Sequence, residues 1–166
     1  MAKTESFDIT TGCDLQEVDN AVNQALKEIT GRYDFKGINV TIEYDRKAST
    51  IEIHTSDDYK LDAAWDVLLG RLLARKIPLK NIKRGKSEPA GGDTVKQVVT
   101  LIQAIDSETA KKITSYIRDQ KLKKVQSQIQ GDAVRVSGPT RDDLQAAMQA
   151  LREADFGIEL TFGNYR

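Results

Sequence analysis

Cysteine, histidine and tryptophan occur once each, and proline three times, in the 166 residues of this chain. A single cysteine excludes an intrachain disulfide and any structural zinc site with two or more thiolates, which points to a reducing compartment. The one histidine, His54, has no other His or Cys near it in sequence, so a metal centre is not expected. No run approaches the roughly 18 apolar residues of a membrane helix, and Met1–Glu5 lacks the apolar core of a signal peptide. An excess of one charge is also missing. With 25 Lys+Arg against 25 Asp+Glu, the chain is not a histone-like phosphate binder. What remains, 39% hydrophobic and 30% charged, is the composition of a soluble globular protein with one average domain or two small ones. A cytoplasmic, bacterial-type protein is the expectation.

The neutral total hides a local asymmetry. Residues 1–83 sum to −2 and residues 84–166 to +2. Lys111, Lys112, Arg118, Lys121, Lys123 and Lys124 stand against Asp119 alone. A basic patch on a neutral protein suits a selective anion site better than wholesale coating of nucleic acid; a solvated helix face is the plainer alternative.

Hydrophobic period divides the chain into elements. Phe7 and Ile9 alternate with Ser6, Asp8 and Thr10, as in a half-buried strand. Asp14 offers an N-cap with Glu17 three residues on, and Leu15, Val18, Val22, Ala25, Leu26 and Ile29 lay one apolar stripe along a helix that Gly31 stops. Val40–Tyr44 and Ile51–Ile53 read as a hairpin around Asp45–Ser49. A second helix starts near Asp57 or Asp58, buries Leu61, Trp65, Leu68, Leu69, Leu72 and Leu73, and ends by Pro78. Residues 83–93, with three Gly and one Pro and no period, read as a linker. Gly85-Lys86-Ser87 is not a P-loop, because the first Gly of the motif is missing and no helix follows.

The same order then recurs. Val95–Ile105 reads as a strand buried on both faces, and Asp106 caps a helix with Ala110, Ile113, Tyr116 and Ile117 inside. Val125–Gln130 and Ala133–Gly138 form a hairpin around Gly131-Asp132. Thr140–Glu153 is a helix burying Leu144, Ala147, Met148 and Leu151, and Ile158, Leu160 and Phe162 form a last strand. The pattern predicts an α+β fold of two duplicated ferredoxin-like (split βαβ) domains.

Three segments and the tail carry a family resemblance. They are Ser6–Ile9, Arg32-Tyr33-Asp34-Phe35-Lys36-Gly37, the run Lys124–Gly131 with Arg135-Val136 and Arg141–Gln145, and Phe162-Gly163-Asn164-Tyr165-Arg166. Over essentially its whole length the chain resembles the YajQ family of small bacterial cytoplasmic proteins. It departs at Ala104, where the family usually has Gly, at Tyr165, where Phe is usual, and in the composition of 83–93. The resemblance implies exchanged strands, with Ser6–Thr10 joining the second sheet and Val95–Ile105 the first, so that neither copy is complete in sequence order. The first domain then spans 12–105 and the second 106–166, completed by strand 6–10. It also implies nucleotide binding, the family being connected with nucleoside triphosphates, RNA and cyclic-di-GMP; that the protein is not an enzyme is expected from the residues themselves, which offer no catalytic signature. GTP, ATP, cyclic-di-GMP or a short RNA is the expected partner, with no cofactor and no membrane.

The residues themselves offer three places. In the second hairpin, period two puts Gln126, Gln128, Gln130, Arg135 and Ser137 on one face, with Val125, Ile129, Val134 and Val136 on the other. Amides and a guanidinium in a row suit base edges and phosphate oxygens. The equivalent face of the first copy, Thr41, Glu43, Glu52 and His54, is acidic. In Arg32–Gly37, Tyr33 or Phe35 could stack a base between Arg32 and Lys36; anchoring of Phe35 and pairing of Arg32 with Asp34 is the structural alternative. Arg135, Lys112 and Lys124 are the phosphate candidates, and Gln126 and Gln128 the base-edge candidates. Arg71 and Arg75 reproduce the R-x-x-x-R spacing of some cyclic-di-GMP sites, and Arg141-Asp142-Asp143 reads as a helix start. Cys13 at a helix mouth is the one candidate nucleophile, and no paired carboxylates stand out. The competing function is a protein-interaction adapter that contacts a transcription factor or another partner.

Overall fold

The computed structural model describes residues 4–122 and 124–166, so Met1–Lys3 and the patch residue Lys123 lie outside the described residues. In chain order the elements are β1 (Glu5–Thr10), α1 (Leu15–Gly31), β2 (Thr41–Asp45), β3 (Thr50–Thr55), α2 (Asp58–Ala74), β4 (Ile82–Arg84), β5 (Glu88–Ala90), β6 (Thr94–Leu101), α3 (Ser107–Asp119), β7 (Gln126–Gln130), β8 (Ala133–Gly138), α4 (Arg141–Glu153) and β9 (Thr161–Gly163). The fold is α+β, with two antiparallel sheets.

Each helix begins where a short polar side chain satisfies its free backbone N–H groups. Asp14 accepts from Gln16 and Glu17 at 3.0 and 3.1 Å. Asp57 accepts from Lys60 at 2.8 Å, Asp106 from Thr109 at 2.7 Å and Thr140 from Asp143 at 3.2 Å.

Two compact units result. Cys13–Ile102 forms one; Gln103–Arg166 forms the other with the described residues up to Gly12. In the first unit the sheet runs β2-β3-β6-β4 with β5 also on β6, and α1 and α2 cover it. Val18, Val22, Ile29, Ile51, Ile53, Leu61, Leu68, Leu72 and Val99 fill its core. In the second unit the sheet runs β7-β8-β1-β9. Phe7 and Ile9 from β1 pack there with Val134, Val136, Ile113, Ile117, Leu144, Met148 and Leu151, all buried. The two sheets are ordered alike: a hairpin, then a strand from elsewhere in the chain, then a short last strand. Cys13–Ile102 still carries every strand of its own sheet in one continuous stretch; only the other unit is split.

Several boundaries differ from the sequence reading. Residues 83–93 are not a linker: β4 and β5 lie along one edge of β6, pairing Lys83 with Thr100 and Pro89 with Val95. Three-residue strands are too short to show a period of two. Pro89 fits there because an edge strand spares its missing N–H. Strand β6 ends at Leu101, and the Ile102 N–H bonds to the Asn81 carbonyl at 2.9 Å. Helix α2 stops at Ala74, before Pro78, with Lys76 in the left-handed region at φ 64°. Its buried stripe is Leu61, Ala64, Val67, Leu68 and Leu72, while Leu73 is exposed. Of the expected last strand only Thr161–Gly163 pairs, although Ile158 is buried.

Candidate functional site

Gly131, at φ 60°, takes the first position of the β7–β8 turn, which is where a type II′ hairpin needs glycine. The turn sets the register Gln130 to Ala133, Ile129 to Val134, Gln128 to Arg135 and Gln126 to Ser137. These are the pairs expected from sequence, and Gln126, Gln128 and Gln130 are all exposed. Ile129 departs from its expected covered side. On edge strand β7 it is 40% exposed, because α3 does not reach over it fully.

Strand β1 completes this face with residues that the hairpin pattern could not supply. Asp8 lies opposite Arg135 and Ser6 opposite Ser137. Arg135 Nε donates to Asp8 Oδ1 at 2.9 Å, and Asn164 Nδ2 donates to Asp8 Oδ2 at 2.6 Å. The hydrogen bonds from Arg135 and then Asn164 hold the Asp8 carboxyl below the usual carboxylate range. The same bond raises Arg135 above its ordinary value. Arg135 is therefore a neutralised, oriented guanidinium and not a free charge for phosphate. Its Nη groups make no hydrogen bond to the described residues, so it can still donate. Asp8 and Asn164 were not among the expected site residues. The alternation of Ser6, Asp8 and Thr10, combined with the strand exchange, was the signal that carried Asp8.

Strand β9 ends in a bulge. Asp8 pairs with Gly163, yet Ser6 exchanges both backbone hydrogen bonds with Arg166, at 3.1 and 3.0 Å. Two residues, Asn164 and Tyr165, thus stand opposite Phe7, with Asn164 at φ 53°.

The remaining phosphate candidates are scattered. Lys112 sits one helical turn from Glu108, 3.8 Å from its carboxylate, and lines a depression with Tyr116 and Phe156, not with the glutamines. Lys124 is exposed at φ 73° in the turn before β7. Among the described patch cations, Arg118 lines with Gln126 and Ser127 a groove of about 520 Å³ between α3 and β7.

In the Cys13–Ile102 unit, Arg32–Gly37 follows its structural alternative. Phe35 is 4% exposed and belongs to the core, which corrects its reading as a stacking residue. Arg32 donates from Nε and Nη2 to the two Asp34 oxygens, each at 2.9 Å, and the Arg32 and Lys60 cations lie 5.6 and 5.4 Å from the Phe35 ring centre. Tyr33 is 89% exposed and Lys36 is exposed, so these two remain accessible. Arg71 binds Glu28 at 2.6 Å and Arg75 binds Glu17 at 3.2 Å, so the R-x-x-x-R pair ties α2 to α1.

The expected acidic face of this unit is diluted by β6. Lys96 lies beside His54 and Val98 beside Glu52. His54 Nε2 is 2.7 Å from Thr94 Oγ1, and among the described residues no group of three acidic, His or Cys side chains could hold a metal. Burial pushes the Cys13 thiol up to about 11, the opposite of an activated nucleophile.

An antiparallel sheet with exposed amides on its edge strand and one oriented guanidinium beside them places this chain among proteins of small α+β units. The class becomes specific on comparison with known proteins. The family model described as "Nucleotide-binding protein YajQ-like" matches residues 5–166. Full-length similarity extends to a "Nucleotide-binding protein" of Alkaliphilus oremlandii, 54% identical over all of both chains, and to one of Carboxydothermus hydrogenoformans at 52%. A further relative from Bacillus cytotoxicus is 49% identical, again over both whole chains. The chain belongs to the YajQ family.

Proposed function

We propose that this chain is a cytoplasmic nucleotide-binding protein that acts by binding and not by catalysis, with cyclic-di-GMP or a short RNA as its ligand. The observation that carries the reading is the row Gln126, Gln128 and Gln130 beside Arg135, whose Nε is fixed by Asp8. Side-chain amides pair with base edges, and a guanidinium already held by a carboxylate on the same sheet face loses little entropy on donating to phosphate. The names of the full-length relatives point the same way. No helix in the described residues is long and apolar enough to cross a membrane. The likeness of the two strand orders supports two copies of one ferredoxin-like plan, spanning about 12–105 and 106–166 with strand 6–10 added to the second.

Calorimetry against GTP, ATP, cyclic-di-GMP and a short single-stranded RNA, at two salt concentrations, tests the reading. Saturable heat that Gln128→Ala with Arg135→Ala weakens at least tenfold is the expected result. Binding unchanged by both substitutions removes the sheet face; no heat from any ligand removes the nucleotide. The exposed Ile129 on edge strand β7 favours the adapter as the second reading, in which Ile129→Asp abolishes partner capture and leaves nucleotide affinity intact.

A further inference from the structure

A groove of about 470 Å³ opens between the first half of α4 and the end of the chain, apart from the glutamine row. Its floor is apolar: Leu144 and Met148 are both buried. Helical spacing sets one wall, since Arg141 and Gln145 are one turn apart and share a side of α4. The bulge sets the other wall. By inserting an extra residue it brings Arg166 opposite Ser6 and turns Tyr165 against Phe7, with ring centres 6.4 Å apart. Phe7 supports that ring from the core while Tyr165 itself stays 62% exposed.

Arg141 and Arg166 bring two guanidinium groups to the lining, and neither makes a side-chain ion pair among the described residues, whereas Arg135 of the same unit is bonded to Asp8, which also feels the Arg166 charge. Glu5 is the one acidic side chain on the lining. The groove lies beside the start of a helix, whose dipole favours an anion. An aromatic ring backed on one side, an amide and two guanidinium groups over an apolar floor match a planar base joined to phosphate.

We infer that the groove between α4 and the C-terminal residues is a nucleotide site, with Arg141 and Arg166 on the phosphate and Tyr165 stacked on the base. Gln145 is placed to meet the base edge, and the floor excludes water from the phosphate contacts. The inference rests on the nucleotide-binding reading and adds to the sheet face a second site, whose phosphate contacts are residues that reading does not use.

Backbone amide NMR of the full chain, titrated with GMP, GTP, cyclic-di-GMP and pyrophosphate, separates the two. The expected result is shifts centred on residues 141–148 and 165–166. Arg141→Ala with Arg166→Ala lowers affinity at least tenfold at an unchanged thermal midpoint; Tyr165→Ala weakens the nucleotides, and Tyr165→Phe restores them. Nucleotide shifts confined to 126–137, or affinity unaffected by the double arginine variant, overturn the groove and leave the sheet face standing. Pyrophosphate shifts here without any from a nucleotide overturn the base contact and with it the proposal. No shift from any nucleotide anywhere overturns this inference together with the cyclic-di-GMP half of the functional reading.

Discussion

Single side chains carry the sharpest consequences. Phe35 and Tyr33 sit two residues apart in one aromatic-cationic motif, yet one is core and the other is solvated. Phe35→Ala should cost about 3–5 kcal/mol by urea denaturation, as expected for an emptied aromatic site. Tyr33→Ala should stay within about 0.5 kcal/mol. Similar values for the two would contradict the buried anchor. Cys13 gives a pH dependence at the alkaline end. Its thiol titrates near 9 when unfolded and at about 11 when folded, so the folded state holds the proton more tightly. That contribution is complete below about pH 9 and is lost as pH rises toward 11. Cys13→Ala should flatten the alkaline fall in stability over that window, and the native thiol should alkylate far more slowly than the unfolded one. Asp8 acts with the opposite sign. Its carboxyl is lowered in the folded state, so its contribution is present above the ordinary 3.8 and disappears as pH falls through the lower folded value. Asp8→Asn should remove that part of the acid-side loss, measured by thermal midpoint against pH.

At the scale of elements, the short strands β4 and β5 give β6 its second neighbour. Between them Gly85 donates its N–H to the Val98 carbonyl at 2.9 Å, and a Cβ on Gly85 would stand 2.5 Å from that oxygen. The neighbour is backbone and cannot swing away, so Gly85→Ala should destabilise by about 1–3 kcal/mol. A neutral result would mean that this edge is not held. Composition reads the same stretch as a linker because strands of three residues show no period, although β5 pairs with β6 locally, from Ala90 to Thr94. The Gly131-Asp132 hairpin is the contrary case. Its register was legible because a two-residue turn and alternation over five residues specify it without help from elsewhere.

The whole molecule divides unequally along the chain. Cys13–Ile102 contains its sheet in one continuous stretch, but the other unit takes an inner strand, β1, from across that stretch. A fragment of residues 13–102 should fold alone, with dispersed amide resonances and a cooperative transition. Residues 103–166 alone should not, because without β1 the pair β7-β8 has no link to β9 and loses Phe7 and Ile9 from the core. Adding a peptide of residues 4–12 should restore structure to that fragment. Cooperative folding of 103–166 by itself would contradict the role given to β1.

Local chemistry was therefore decided by the sequence, in where each helix starts and which turn closes β7 onto β8, but not in the sides of every strand: β6, read as buried on both faces, leaves Val98 39% exposed. Caps, turns and alternation act over a few residues, so their information is contiguous. Tertiary structure alone decided what stands beside what. Arg135 meets Asp8 across 127 positions of chain, and that one pairing turns a free phosphate candidate into a compensated donor. The groove beside α4 joins both ends of the chain, as does the bulge that turns Tyr165 and Arg166 toward it. Residues that far apart share no local period, and only the pairing of strands brings their charges within reach of each other.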